Sequence, residues 1–514
     1  MKNSLCREIP DNILEQLNKK PYSSPFREVP DFRAVGRKVV SVGPNDKKLL
    51  DSIDEAIDKT GLKDGMTISF HHHFRSGDRV VNDVIDRIAK KGIKNICLAS
   101  SSLTDIHYPI VEHIKNGVIT SITTSGLRGE LAEAISRGVL ETPVVFRSHG
   151  GRARAIESGE IRIDVAFLGV PSSDEYGNAS GERGNSICGS LGYARVDSRY
   201  ADRVVLITDC LMDFPNLPGS IKQVDVDYVV VVDSIGDASK IASGATRFTT
   251  NPKELLIAQK ASKVIVNSSY FKEGFSFQTG SGGASLAVTR FLKKHMLEDG
   301  IKASFALGGI TQPMVELHEE GLIEHLYDVQ SFDLYSANSY NRNRKHHEID
   351  ASYYANLYTK GCIANKLDIV ILSALEIDID FNVNVITGSD GAIRGASGGH
   401  SDTAASAKLT VIVAPLMRGR IPTVVKSVQN IITPGETVDV LVTDRGIAVN
   451  PRRQDLIDRL NKAGVPTMLI TELQCLVESF IGSPKQNEFE DEIVGIIEYR
   501  DGTILDVIRK IKEV

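Results

Sequence analysis

From about Lys47 onward, apolar residues recur in two alternating rhythms. Leu49, Leu50, Ile53, Ala56 and Ile57 fall at helical spacing, and the run Met66-Thr-Ile-Ser-Phe70 reads as a strand. A polar turn follows, then a helix carrying Val80, Val81, Val84, Ile85 and Ile88, with Gly92 as its expected C-cap. Further strands are expected over 96–100, 119–123, 144–146, 164–170, 204–208 and 228–233, with helical stretches between several of them. Strands alternating with helices predict an α/β fold built on mainly parallel sheets.

The pattern then repeats. SFHHHFRSGDRVVNDVIDRIAKKGIKNICLASSS starts at Ser69, and SFQTGSGGASLAVTRFLKKHMLEDGIKASFALGG starts at Ser276. Pro109-Ile-Val-Glu112 matches Pro313-Met-Val-Glu316, and DVAFLGV from Asp164 matches DIVILSA from Asp368. Three matches in one order predict two similar α/β domains, over 47–240 and 241–514, with the junction inside 236–252. Residues 1–46, with Pro21, Pro25 and Pro30, are expected to form an arm wrapped on a domain or partner. The tail is expected to form a strand pair around Asp501-Gly502, a small C-terminal extension.

Composition narrows the class. The chain has 514 residues, 43 glycines, no tryptophan and a net charge of −6. No basic stripe points to nucleic acid or an acidic membrane. The N-terminus lacks an apolar signal segment, and no run approaches the ~20 apolar residues of a spanning helix. Six scattered cysteines form no C-x-x-C pair. A cytoplasmic enzyme is the expectation.

The candidate chemistry clusters where strands end. Glu376 lies just past the buried run Ile369–Leu372, at the sheet edge where open α/β folds bind ligands. It reads either as a reacting carboxylate or as a strand-end acid facing water. Gly280, Gly282 and Gly283 open a helix; Gly308 and Gly309 end a strand; Gly398 and Gly399 lie in a second glycine-rich run. Such turns bring backbone N–H groups close to an anion, or are turn chemistry and nothing more. His71-His72-His73 cannot all reach one ion from a strand, so the triplet reads as a polar turn rather than a metal site. Arg75, Arg128, Arg147 and Arg394, with His149 and His400, also fall in turns.

DVAFLGVPSSDEYGNASG, SALEIDIDFNVNV and RGASGGHSD resemble the coenzyme A transferase superfamily, whose two α/β halves are alike. SFHHHFRSGD, TSGLRGELAEAISRG, NPKELLIA and FALGGIT are more similar still to one branch, the α-subunit family of citrate lyases, over roughly 47–510. The resemblance implies transfer of a thioester from acetate to citrate on a carrier protein's phosphopantetheine arm, with acetyl-CoA as a mimic and no cofactor bound to this chain. It implies as partners the carrier (γ) subunit, a β subunit that cleaves citryl thioester, and further copies of this chain. It puts Glu376 at the superfamily's nucleophile position, although this branch is described as transferring directly between bound substrates. His72, Arg75, Arg128 and Arg394 are the expected citrate-binding groups, and the seven glycines the expected thioester, oxyanion or carrier-binding groups. Three alternatives stand beside this one: a transferase or hydrolase for another small carboxylate such as citramalate with Glu376 as nucleophile, a non-catalytic α/β scaffold and, by fold analogy alone, a sugar-phosphate isomerase.

Overall fold

The computed structural model describes residues 1–28, 31–242, 249–482 and 487–512. The expected junction over 236–252 includes residues 243–248, which lie outside the described residues. Two mainly parallel sheets form, with helices in most of their crossovers. In the first, the strand order is Leu49–Leu50, Tyr228–Val231, Arg203–Thr208, Val165–Gly169, Thr67–Phe70, Ile96–Ser100, Ile119–Thr124, Val144–Phe146. In the second it is Ile447–Val449, Val440–Val442, Leu409–Val413, Ile369–Ser373, Phe275–Thr279, Ala303–Ile310, Ile323–Ser331, His346–Glu348. From Tyr228–Val231 and Val440–Val442 onward the seven strands follow the same order, and the edges differ: Leu49–Leu50 precedes its sheet in the chain and pairs parallel, whereas Ile447–Val449 follows its sheet and pairs antiparallel.

The equivalence reaches single hydrogen bonds. Asp164 Oδ2 accepts from the Thr67 N–H at 2.8 Å, and Asp368 Oδ2 accepts from the Ser276 N–H at 3.0 Å. Asp227 and Asp439 each accept a strand N–H at 2.8 Å in the same way. These bonds pair Ser276 with Thr67, two residues from the Ser69 that the sequence match suggests. A slip of two keeps every side chain on its own face, so the apolar pattern cannot detect it.

Local chemistry accounts for the element ends. In helix Val80–Lys90, Val80, Val81, Val84, Ile85 and Ile88 are all buried, each stabilising the fold by about 2 kcal/mol. Lys91 is the C-cap, and Gly92 takes the left-handed φ of 75° one residue later. Leu49 and Leu50 are not helical, as their spacing suggested, but form a short edge strand beside Tyr228–Val231. The helix starts only at Ile53, because the Ser52 side chain accepts from the Glu55 N–H.

The two chain termini meet. Strands Phe489–Glu498 and Ile504–Ile511 form the expected hairpin, which extends the first sheet past Val144–Phe146 rather than the second sheet that precedes it in sequence. The arm's helix Asp11–Leu17 buries Ile13 and Leu14 which, with Ile9, pack against Ile496, Ile504 and Val507 of that hairpin. Among the described residues no helix is long and apolar enough to cross a membrane.

The carboxyl ends of the two sheets face each other. Gly126 pairs with Ala396 across the halves, Ser397 N–H donates to Ser125 O at 2.7 Å, and His149 N–H donates to Gly398 O at 2.8 Å. The approach requires glycine: a Cβ on Gly126 would lie 2.2 Å from the Ala396 Cβ.

Candidate functional site

Strand Ile369–Ser373 runs through Ala374 and Leu375 into the short strand Glu376–Asp378, which pairs with Val383–Asn384 and with Val424–Val425. Asp378 makes the turn, its Oδ1 accepting from the N–H groups of Asp380 and Asn382 at 3.0 and 2.9 Å. Glu376 is thereby carried into the interior, 8% exposed. Its Oε2 accepts from Asn384 Nδ2 at 2.9 Å and from the Gln429 N–H at 3.0 Å. Its Oε1 has no partner among the described residues. Burial raises the Glu376 pKa above the ordinary carboxylate range, opposed by the bonds from Asn384 and Gln429 and by the charge of Arg7. One oxygen is held and the other is left open, the geometry of a carboxylate oriented to react or to receive a proton.

The glycine turns flank the same strand end. Gly280 N–H donates to Ile371 O at 2.7 Å, so that donor is already used. A Cβ on Gly282 would lie 3.2 Å from Ser373 Oγ, and one on Gly283 only 2.7 Å from Glu254 Oε2. The N–H groups of Gly282, Gly283, Gly398 and Gly399 find no acceptor among the described residues. His400 ties the second turn to the strand: its Nε2 bonds Ser373 O at 2.9 Å and its Nδ1 bonds Thr433 Oγ1 at 2.7 Å. Burial lowers its pKa to about 4, so the ring is neutral, donating through Nε2 and accepting at Nδ1. Gly308 and Gly309 have a steric part. Cβ atoms there would strike the Gln278 side chain at 2.7 Å and the Phe332 ring at 2.2 Å.

Across the interface, the three histidines point three ways. His71 Nε2 bonds Gly169 O, His72 Nδ1 bonds Ser101 Oγ at 2.6 Å, and His73 Nε2 accepts from the Tyr193 N–H. The His72, His149 and Tyr193 rings cluster with centroids 4.5–5.5 Å apart. Burial holds His72 well below the usual histidine range and lowers His149 to about 3, so both rings are neutral. His72 therefore offers hydrogen bonds rather than positive charge. Arg75 does reach across: it donates to Ser331 O at 2.9 Å and Phe332 O at 3.2 Å and stacks on the Phe332 ring. Burial lowers the Arg75 pKa to about 10.

Arg128 and Arg394 do not converge on these groups. Arg394 is half exposed and paired with Asp390 and Glu133; Arg128 is exposed and has no ion-pair partner among the described residues. Arg147 is buried against Glu498 and serves the tail hairpin. Groups that sequence reasoning did not single out include Asn384, Tyr193, and Tyr354, whose Oη accepts from Gln278 Nε2 at 2.9 Å and abuts Gly399. Only Asn384 left a trace, since it stands where hairpin pairing would place a partner for Glu376. Among the described residues no cluster of three or more His, Cys, Asp or Glu is arranged to hold a metal. A surface cavity of about 480 Å³ opens at the opposite, amino end of the second sheet beside Gly274, Lys302 and His318.

Comparison with known proteins places this architecture. A family model described as citrate lyase, alpha subunit, matches residues 46–511. The citrate lyase alpha chain of Haemophilus influenzae is 58% identical over 490 residues, 95% of this chain and 97% of that one. The Klebsiella pneumoniae citrate lyase alpha chain is 60% identical over 466 residues, 91% and 92% of the two chains. A crystal structure of a Streptococcus mutans citrate lyase alpha subunit in complex with citrate superposes with a TM-score of 0.97 at 57% identity, covering 100% of both chains. A 4-hydroxybutyrate CoA-transferase from Porphyromonas gingivalis, 17% identical, has the same fold with a TM-score of 0.53, covering 84% of this chain and 97% of that one. With nearly its whole length matched, the chain belongs to the citrate lyase alpha subunit family.

Proposed function

We propose that this chain exchanges the acid carried on a thioester: acetyl-carrier plus citrate gives citryl-carrier plus acetate, the first half-reaction of citrate cleavage. One observation carries the reading: a buried carboxylate, Glu376, with one oxygen fixed and one open, three residues beyond a strand end flanked by two glycine turns. Family membership supports citrate as the acid, as does the complex of the Streptococcus mutans alpha subunit with citrate.

Two routes use these groups. In the direct route a citrate carboxylate attacks the acetyl thioester carbon, the C–S bond breaks, and the thiolate attacks the citryl carbonyl of the mixed anhydride, releasing acetate. In the covalent route Glu376 Oε1 makes the first attack, the thiolate returns to the Glu376 carbonyl as acetate leaves, and citrate then displaces the enzyme thioester by the same two steps. Every addition passes through an oxyanion, for which the open N–H groups of Gly282, Gly283, Gly398 and Gly399 are the candidate donors. Arg75 is the candidate cation for a citrate carboxylate and His72 a neutral donor or acceptor. Neither route calls for a metal or redox cofactor. The carrier, a lyase subunit, further copies of this chain and a cytoplasmic setting complete the proposal.

Incubating the chain with acetyl-CoA and a panel of hydroxy acids tests it. Acetate release dependent on citrate supports the reading, and release with citramalate but not citrate overturns the substrate assignment. Borohydride after acyl-CoA treatment, followed by peptide mass analysis, separates the routes. A reduced Glu376 identifies the covalent route, and an unmodified one the direct route.

A further inference from the structure

Two arginines from distant parts of the chain treat the surroundings of Glu376 in the same way. Arg418, on the hairpin Met417–Arg418 and Ile421–Pro422, donates from Nη2 to Ala374 O at 2.6 Å and from Nη1 to Leu375 O at 3.1 Å. Those are the two carbonyls immediately before Glu376. Arg418 Nη1 also donates to Thr423 Oγ1 at 3.2 Å, and the Thr423 carbonyl accepts from the Ile377 N–H at 2.8 Å. Arg7, in the N-terminal arm, donates from Nη2 to Val428 O at 2.7 Å and from Nη1 to Gln429 O at 3.4 Å. Gln429 is the residue whose N–H holds Glu376 Oε2. Arg7 also lies 3.6 Å from Asp506, whose Oδ2 accepts from the Ile431 N–H two residues further on.

We propose that Arg7 and Arg418 are positioning residues, two guanidinium forks that grip paired backbone carbonyls on either side of Glu376 and fix where its carboxylate stands. The proposal rests on the reading of Glu376 as a reacting or orienting group. A planar fork spans two adjacent carbonyls in a way that a lysine ammonium cannot. A displacement of ~1 Å in a reacting group costs ~10²-fold in rate, so each grip has a measurable effect.

The two grips differ electrically. The charged groups facing the carboxylate are Arg7 from the arm and Asp378 from its own hairpin. Asp506 is paired with Arg7, and residues 427–435 contain no titratable side chain. Arg418 acts on carbonyls and is not among the largest influences on the Glu376 carboxyl. Arg7 opposes the upward push of burial, so its loss moves the acid limb of activity to higher pH, and loss of Arg418 leaves that limb in place.

The experiment uses the full chain with acetyl-CoA and citrate, and reads kcat, citrate KM, pH profile, thermal midpoint and amide exchange over 428–431. Arg7→Ala is expected to lower kcat 10- to 100-fold at unchanged KM, raise the acid limb, and speed exchange at Gln429 and Ile431. Arg7→Lys is expected to restore the acid limb but only part of kcat. Arg418→Ala and Arg418→Lys are expected to lower kcat about 10-fold with the limb unmoved. If kcat stays within twofold of wild type in both alanine variants while Glu376→Gln is inactive, the clamp is wrong. An acid limb unmoved in Arg7→Ala, or amide exchange unchanged there, overturns the Arg7 half, including where that variant is less stable. A fully active Glu376→Gln overturns instead the reading of Glu376 on which the clamp depends.

Discussion

The hairpins that follow the two equivalent strands, residues 172–180 and 376–384, are built on one plan. In each, an aspartate makes the turn: Asp174 Oδ1 accepts from Tyr176 and Asn178 N–H groups at 3.0 and 2.9 Å, and Asp378 does the same for Asp380 and Asn382. In each, the residue two places earlier pairs across the hairpin, Ser172 with Ser180 and Glu376 with Asn384. The first pair is sealed and satisfied: Ser172 Oγ donates to Ser180 O and accepts from Asn216 Nδ2. The second places a carboxylate at the same spot, with one oxygen unpaired among the described residues. The scaffold occurs twice, and only the second copy puts a carboxylate at that position.

The comparison can be broken in several ways, the most severe first. Glu376→Gln should lower acyl exchange by about 10³-fold or more, the order expected when a reacting group is removed, whereas Ser172→Ala should stay within a few-fold. Equal losses in steady-state assays would mean that the hairpins contribute alike. Next in size, Asn384→Ala removes a hydrogen bond to a buried carboxylate, worth about 1.5–3 kcal/mol, or roughly 10- to 100-fold in kcat/KM. Because that bond favours the charged form, its loss should also raise the acid limb.

The pH profile of the wild-type chain sharpens the contrast further. On the covalent route only ionised Glu376 attacks, and burial raises its pKa, so kcat/KM should fall as pH drops through a midpoint above the ordinary glutamate value of about 4.3. A midpoint at or below that value in a pH–rate profile would count against Glu376 as the titrating group. Asp174→Ala and Asp378→Ala each remove a turn-forming buried acceptor and should cost a similar ~1–3 kcal/mol in denaturant unfolding, with activity suffering more in the second. Smallest of all, Arg128→Ala and Arg394→Ala should change stability by no more than ~0.5 kcal/mol and leave citrate KM within twofold, being surface groups.

The sheets could be read from the chain because buried parallel strands are nearly continuous apolar runs, such as Ile369–Leu372, and because the second set repeats the first. Glu376 stood out for the same reason: an acid closing such a run has few places to go. What surrounds it was not legible. Arg7 meets Gln429 across more than four hundred residues, and no local pattern encodes that closure. Arg394 shows the opposite difficulty: a turn position does not say which way a side chain leaves, and Asp390 four residues earlier captures it. The protonation state of His72 was not legible, because burial, which neutralises the ring, is a property of the assembled interface. The tail's strands were readable from their Asp-Gly turn, but an antiparallel pair carries no mark of which sheet it will join.

That junction has a bearing on biogenesis. A polypeptide stalled on the ribosome before residue 506 already holds Glu376 and both glycine turns, but not the aspartate that anchors Ile431 and pairs with Arg7. Such unfinished products would hold Asn384, Gln429 and Arg418 around that carboxylate but would lack the tie from the final strand to Ile431 and Arg7.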